Sequence, residues 1–369
     1  MNISLRKANR SASRQRAAMR APATIAIVSI LLFAGCAGGD EAANDSGLRS
    51  LTINYPTTSG ATWPMFVAKE GGYYEKYGLD VDLVFGVHPA GVAMLTSGEA
   101  EMANYSLEQS LLASSLDGSL VMVGSSLNRG LFALMSSPEI NSVADLRNRR
   151  LGISQIGDAP YNYTVALLAK FGLTDRDVQW IPAGAGVGGR AAALVGGRVD
   201  ATLLTAPAFF TLEEQGFTKL ADFSEYDDIY ASTVYLMSRE TLESDPDLAE
   251  MLIRAHAEAI ARFYEDKDLA VQAYLAYDPA QAAEDVARNY DRYADSNALE
   301  RIPYVLEGAV RSVIEQANTE DSPQMLGFDF SRVIDNSIID RLIAEGFFVD
   351  LFGPEIVEEQ ERKAALAFR

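Results

Sequence analysis

Cysteine is almost missing from this sequence. Cys36 is the single one in 369 residues, which excludes an internal disulfide, a cysteine-ligated zinc site and, in the mature body, thiolate catalysis. Histidine is nearly as scarce, with only His88 and His256. No HExxH helix, no Gly-x-Ser-x-Gly elbow and no metal-ligand cluster is present, so no cofactor or metal is expected and catalysis has few groups to work with. Positive charge is short as well, with 31 Lys and Arg against 51 Asp and Glu and a net charge of −20. That balance argues against nucleic acid and anionic membrane surfaces as partners. Long apolar runs are lacking too. The one at Ala21–Ala34 is too short to span a bilayer comfortably as a mature helix.

What is present at the N-terminus reads as an export signal. Arg6, Lys7, Arg10, Arg14, Arg16 and Arg20 precede the apolar run, and no acidic residue comes before Asp40. The run ends in Leu32-Phe33-Ala34-Gly35-Cys36, which resembles the bacterial lipoprotein box, with Phe33 where leucine is usual. The resemblance implies a signal peptide over 1–35, a lipidated Cys36 and a membrane anchor of acyl chains, palmitate among them. An ordinary secretory signal with an incidental cysteine is the plainer alternative. Residues 36–47, rich in Gly, Ala, Asp and Asn, read as a flexible tether. Without the leader's six basic residues the net charge becomes −26.

The body of about 320 residues exceeds what one small core usually organises, so two lobes are expected. Strands are expected at 51–55, 79–85, 101–105 and 120–124, with helices at 64–70, 89–97 and 107–117 between them. The pattern repeats with strands at 151–154, 178–181 and 199–203 and helices at 160–171 and 190–195. Such alternation predicts α/β lobes with parallel or mixed sheets flanked by helices. Two internal matches support a repeat. Lys76-Tyr77-Gly78-Leu79 answers Lys170-Phe171-Gly172-Leu173, and Leu95–Glu101 answers Leu194–Asp200. In each, glycine can end a helix in the left-handed conformation before a strand. Beyond Tyr235 the chain turns helical, with Leu248, Met251, Leu252, Ala255 and Ala259 on one face. Further helices are expected at 279–294, 304–318 and 337–345, and a charged, loosely attached tail at 353–369.

The block Pro64-Met65-Phe66-Val67-Ala68-Lys69-Glu70-Gly71-Gly72-Tyr73-Tyr74 through Gly78-Leu79-Asp80-Val81, and the block Ser142-Val143-Ala144-Asp145-Leu146-Arg147-Asn148-Arg149-Arg150-Leu151-Gly152-Ile153, resemble the solute-binding proteins of ABC importers for aliphatic sulfonates and thiamine pyrimidine precursors. Asn148 stands where glycine is commoner. The resemblance implies a two-lobed periplasmic-binding-protein-like type II fold, with a helical C-terminal extension packed on lobe one. Its crossings would lie near 128–136 and 226–236, giving lobe one as 48–130 plus 232–352 and lobe two as 137–225. It implies a monomer outside the cytoplasm that passes a small-molecule solute to the transmembrane subunits of an ABC permease. A ligand-sensing module for a membrane receptor and an enzyme on the same fold are the alternatives.

Open α/β sheets bind ligands beyond the carboxyl ends of their strands, which nominates residues. Thr57, Ser59 and Trp63 follow the first strand, Trp63 with a core role as its alternative. His88 ends the second, as a donor or as a plain turn residue. Tyr105 and Ser106 close one strand, and Thr205 is the repeat equivalent of Ser106. Both hydroxyls read either as facing the cleft or as helix N-caps. Arg129 can pair with an anion or be a solvated hinge residue. Gln155, Gly157, Asp158 and Tyr161 link strand to helix in lobe two, where Asp158 either caps the helix or receives a ligand amino group. Tyr55, Trp63, Tyr105 and Tyr161 near strand ends favour a planar heterocyclic, pyrimidine-like ligand over a small sulfonate or carboxylate. The glycine-rich loop at 184–189 lacks the lysine and spacing of a phosphate loop.

Overall fold

The computed structural model describes residues 47–184, 186–226, 229–316 and 322–369. The leader, Cys36 and nearly all of the tether lie outside the described residues. Among the described residues, no helix is long and apolar enough to cross a membrane.

Ten strands form two mixed sheets. They are β1 (Arg49–Tyr55), β2 (Leu79–Phe85), β3 (Met102–Ser106), β4 (Leu120–Arg129), β5 (Phe132–Ser136), β6 (Arg150–Ile153), β7 (Gln179–Pro182), β8 (Ala201–Thr205), β9 (Thr218–Asp222) and β10 (Tyr230–Ser238). The first sheet runs β2-β1-β3-β10-β4 and the second β7-β6-β8-β5-β9. In each, three strands are parallel, and the chain entering from the other sheet supplies an antiparallel fourth strand, β10 or β5. The chain passes from the first sheet to the second at Gly130 and Leu131, and returns between Asp222 and Tyr230.

The internal repeat extends to single hydrogen bonds. Gly98 and Gly197 both adopt the left-handed conformation, with φ of 74° and 66°, a geometry that costs glycine least. Three residues on, Glu101 accepts from the Thr52 amide of β1 at 2.7 Å, and Asp200 accepts from the Arg150 amide of β6 at 2.8 Å. The same two residues donate back to the carbonyls of Thr52 and Arg150. Each lobe thus pins the start of its third strand to its first in the same way.

The first sheet shares one apolar core with the long C-terminal helices, including Leu248–Glu265 and Lys267–Tyr277. The second sheet carries a core on each face. Along β5, Leu134 joins one cluster while Ala133 and Met135 join the other, as the period-two pleat requires. Three details depart from expectation. The helix expected at 190–195 begins at Gly186 and runs to Val195, so most of the glycine-rich stretch is helical. Strand β4 continues beyond 124 to Arg129. The tail is docked: helix Ile356–Leu366 buries Ile356, Gln360 and Lys363, and Lys363 forms a buried ion pair with Glu300.

Candidate functional site

A cavity of about 450 Å³ lies between the two sheets, lined from both sides. The ends of β1, β2 and β3 contribute Thr57, Ser59, Val87, Asn104 and Ser106. The ends of β6, β7 and β8 contribute Ser154, Gln155, Asp158, Pro182 and Thr205. Six strand ends therefore converge on one space, as the topology of open α/β sheets predicts. Most of the exposed wall is apolar, with Leu127, Phe132, Pro160, Tyr163, Val187 and Tyr293 among its residues.

Tyr293 reaches this wall from helix Ala283–Asp295 because its ring lies against the backbone of Gly60. A Cβ there would sit 1.9 Å from the ring, so glycine is required for the approach. Phe132 and Tyr163 are ring neighbours at 5.4 Å, and they and Tyr293 are the aromatic residues of the described lining.

Its charged residues are two. Asp158 caps helix Ala159–Lys170, accepting from Tyr161 N at 2.9 Å through Oδ1 and from Ser154 N and Gln155 N at 3.1 and 3.2 Å through Oδ2. Burial pushes its pKa up, against the pull of those amides and of Arg190. Arg190 is 4% exposed. It donates from Nε to Leu203 O at 3.2 Å and from Nη1 to Ser154 Oγ at 3.0 Å and Gly186 O at 3.2 Å. Burial lowers its pKa to about 10, with Asp158 opposing, so it stays cationic at neutral pH.

Behind the lobe-one wall, Glu108 is buried beside Ser106 and Tyr163. Burial raises its pKa to about 7, and the Asp158 charge adds to the shift. Glu108 Oε2 and Ser106 Oγ are both buried without a hydrogen-bond partner.

Thr57, Ser59, Ser106, Gln155, Asp158 and Thr205 line the cavity. Ser106 holds the N-cap position of helix Leu107–Asp117 but makes no side-chain cap bond. His88 opens helix His88–Ser97 between the lining residues Val87 and Pro89. The remaining candidates lie elsewhere. Trp63 is fully buried in lobe one, with its indole N–H donating to Ala270 O at 2.7 Å and with Phe263 and Tyr274 at 5.1 and 4.9 Å. This is a core residue, not a stacking platform. Tyr105 is also fully buried and donates to Asn54 Oδ1 at 2.6 Å. Tyr55 packs against Phe66 and Phe85, and Tyr161 against Trp180 at 4.7 Å.

Gly157 forms the turn before Asp158, with φ of 79°, outside the lining. Arg129 ends β4 opposite Tyr230 and is likewise absent from the lining, where the cation is Arg190. Arg190 was legible only as an arginine amid Gly, Ala, Val and Leu on a helix at a strand end. That pattern signals a buried charge with a partner.

Comparison with known proteins agrees with this geometry. Over 141 residues the chain is 30% identical to 4-amino-5-hydroxymethyl-2-methylpyrimidine phosphate synthase of Schizosaccharomyces pombe, covering 37% of this chain and 39% of that one. Over 185 residues it is 29% identical to the formylaminopyrimidine-binding protein of Halalkalibacterium halodurans, covering 48% and 54%. The matches thus span about half or less of these relatives. In structure it is similar to the alkanesulfonate-binding protein SsuA of Xanthomonas axonopodis pv. citri bound to MOPS, with a TM-score of 0.62 at 18% identity, over 77% of this chain and 95% of that one. That likeness establishes the periplasmic-binding-protein fold. The NMT1/THI5-like family model matches residues 61–270, more than half of the sequence, and the chain belongs to that family.

Proposed function

We propose that this protein is an extracytoplasmic solute-binding protein that traps a small molecule between two closing lobes and hands it to an ABC permease. The observation that carries the reading is the cavity of about 450 Å³ walled by strand ends from both sheets, a size and composition suited to a small organic ligand. Lobe one comprises residues 48–130 and 232–352, lobe two residues 137–225. The ligand is a planar heterocycle of the kind named for the Halalkalibacterium relative. Support for stacking comes from Phe132, Tyr163 and Tyr293 on the wall, in place of the four aromatics first nominated.

The protein acts as a monomer by binding, although one relative is named as a synthase. Supporting this, His256 is buried in lobe one, bonded to Tyr74, with burial lowering its pKa to about 3. Such an imidazole has no access to a ligand. Native mass spectrometry of the purified protein tests the reading: a stoichiometric small molecule, released on unfolding and exchangeable for a formylaminopyrimidine, is expected. Conversion of that compound into a product by catalytic amounts of protein would replace binding with catalysis.

The export signal and Cys36 tether the protein to the outer side of the membrane through acyl chains. Cys36→Ala should release it from membranes or block its maturation. A variant that stays membrane-bound and is processed like the parent would sink the anchor.

A further inference from the structure

We propose that Asp158 sets the charge of the ligand. With Arg190 it forms one net-neutral recognition element that reads an uncharged edge, an acceptor beside an N–H donor as in an amide or an aminopyrimidine ring, and turns away sulfonates and carboxylates. The inference rests on the solute-capture reading and adds to it the chemistry that the site selects.

The amides of a strand-to-helix turn are an anion-binding device. Here that device already holds an anion. Ser154 N, Gln155 N and Tyr161 N all donate to the Asp158 carboxylate. A ligand sulfonate would have to displace a covalently tethered carboxylate or lie beside it, and like charges at such range in a buried site repel strongly. Asp158 is 7% exposed, so little water screens that repulsion.

Arg190 does not restore an anion site. Its charge is offset by Asp158, and both converge on Ser154, Arg190 through Oγ and Asp158 through the amide. What the pair leaves over is directional. A carboxylate offers about four lone-pair sites; backbone amides fill three, and the Ser154 hydroxyl also bears on the carboxylate, a contact that a ligand N–H can replace. On Arg190, Nε and Nη1 are used, while Nη2 has no partner among the described residues. One acceptor site and one donor group therefore survive side by side on the lobe-two wall. On the lobe-one wall, Ser106 Oγ is buried without a partner and can either give or take a hydrogen bond. The surrounding wall is apolar, which favours a ligand with few charges to desolvate.

Titration calorimetry on the mature protein with two probes, a formylaminopyrimidine and MOPS, tests this. The parent should bind the pyrimidine and show at least about tenfold weaker affinity for MOPS, a difference of about 1.4 kcal/mol. Asp158→Asn keeps a good capping residue but leaves the Arg190 charge uncompensated, so the preference should move toward MOPS by about tenfold or more. If that variant melts early, Asp158→Ser, another capping residue, serves the same purpose. Parent protein that takes MOPS as tightly as the pyrimidine overturns the inference, as does an unchanged preference in a folded variant. If neither probe binds, the molecule that co-purifies decides: an anion overturns the proposal and an uncharged compound supports it. A parent that binds no small molecule at all removes solute capture itself, and this inference with it.

Discussion

Burial of Glu108 ties the stability of the protein to pH. Its carboxyl titrates near 7 in the folded chain against an ordinary 4.5. The folded state thus holds a proton that the unfolded chain has released. The associated stability is complete below about pH 4.5 and is lost as pH rises through 7. His256 runs the other way: burial lowers its pKa to about 3, so its contribution is present above pH 6.5 and is lost on acidification. Glu108→Gln isolates the first effect. The stability of the variant relative to the parent, from denaturant unfolding, should rise between pH 4.5 and 8 by up to about 3 kcal/mol. A pH-independent difference would mean that Glu108 ionises freely. Residues at this scale were legible by type and by strand end, but not by face. Asn104 and Ser106 line the cavity while Tyr105 between them enters the core, because the pleat reverses direction at each residue. Knowing that a strand ends near Tyr105 does not say which side of the sheet it takes. Tyr105 was nominated for that reason, Trp63 and Tyr161 sit on helices instead, and Arg190 was overlooked although its apolar surroundings on a helix mark a buried charge.

Helix Ala283–Asp295 belongs to lobe one by its packing, with Tyr290 and Tyr293 against Trp63. Yet its arginines grip lobe two. Arg292 pairs with Asp222 at the end of β9 and lies over the Phe209 ring, and Arg288 lies 3.9 Å over the ring of Phe210. These contacts bridge the cleft between the two lobes. Arg292→Ala should therefore weaken the binding of a formylaminopyrimidine about tenfold, because Asp222, 8% exposed, loses its main partner when the lobes close. Calorimetry reads the effect, and an unchanged affinity would show that the clasp does not favour closure. Helices and parallel strands were readable because their apolar periodicity and closing glycines lie within one short window. Strands β5, β9 and β10 were not resolved as strands. They follow or precede a crossing, β9 after only a short helix, Ala208–Glu214, and β10 finds its partners Tyr105 and Ser125 only across more than a hundred residues.

Two sheets of matching order, joined by two crossings, make a molecule that can open about a hinge without breaking either core. Small-angle scattering should show a smaller radius of gyration once a formylaminopyrimidine is bound. An unchanged profile at verified saturation would leave a rigid cavity in place of a trap. The same crossings have a consequence for how the chain is assembled. Strand β10 lies between β3 and β4, so the first sheet stays divided until residues 230–238 arrive, after all of lobe two. Until then β3 and β4 present unpaired edges, the form of backbone most prone to pair with another chain. Such long-range closure is also slow. The nascent protein is therefore most vulnerable to self-association while its second lobe is being made, and the strand that ends this vulnerability also completes one wall of the ligand cavity.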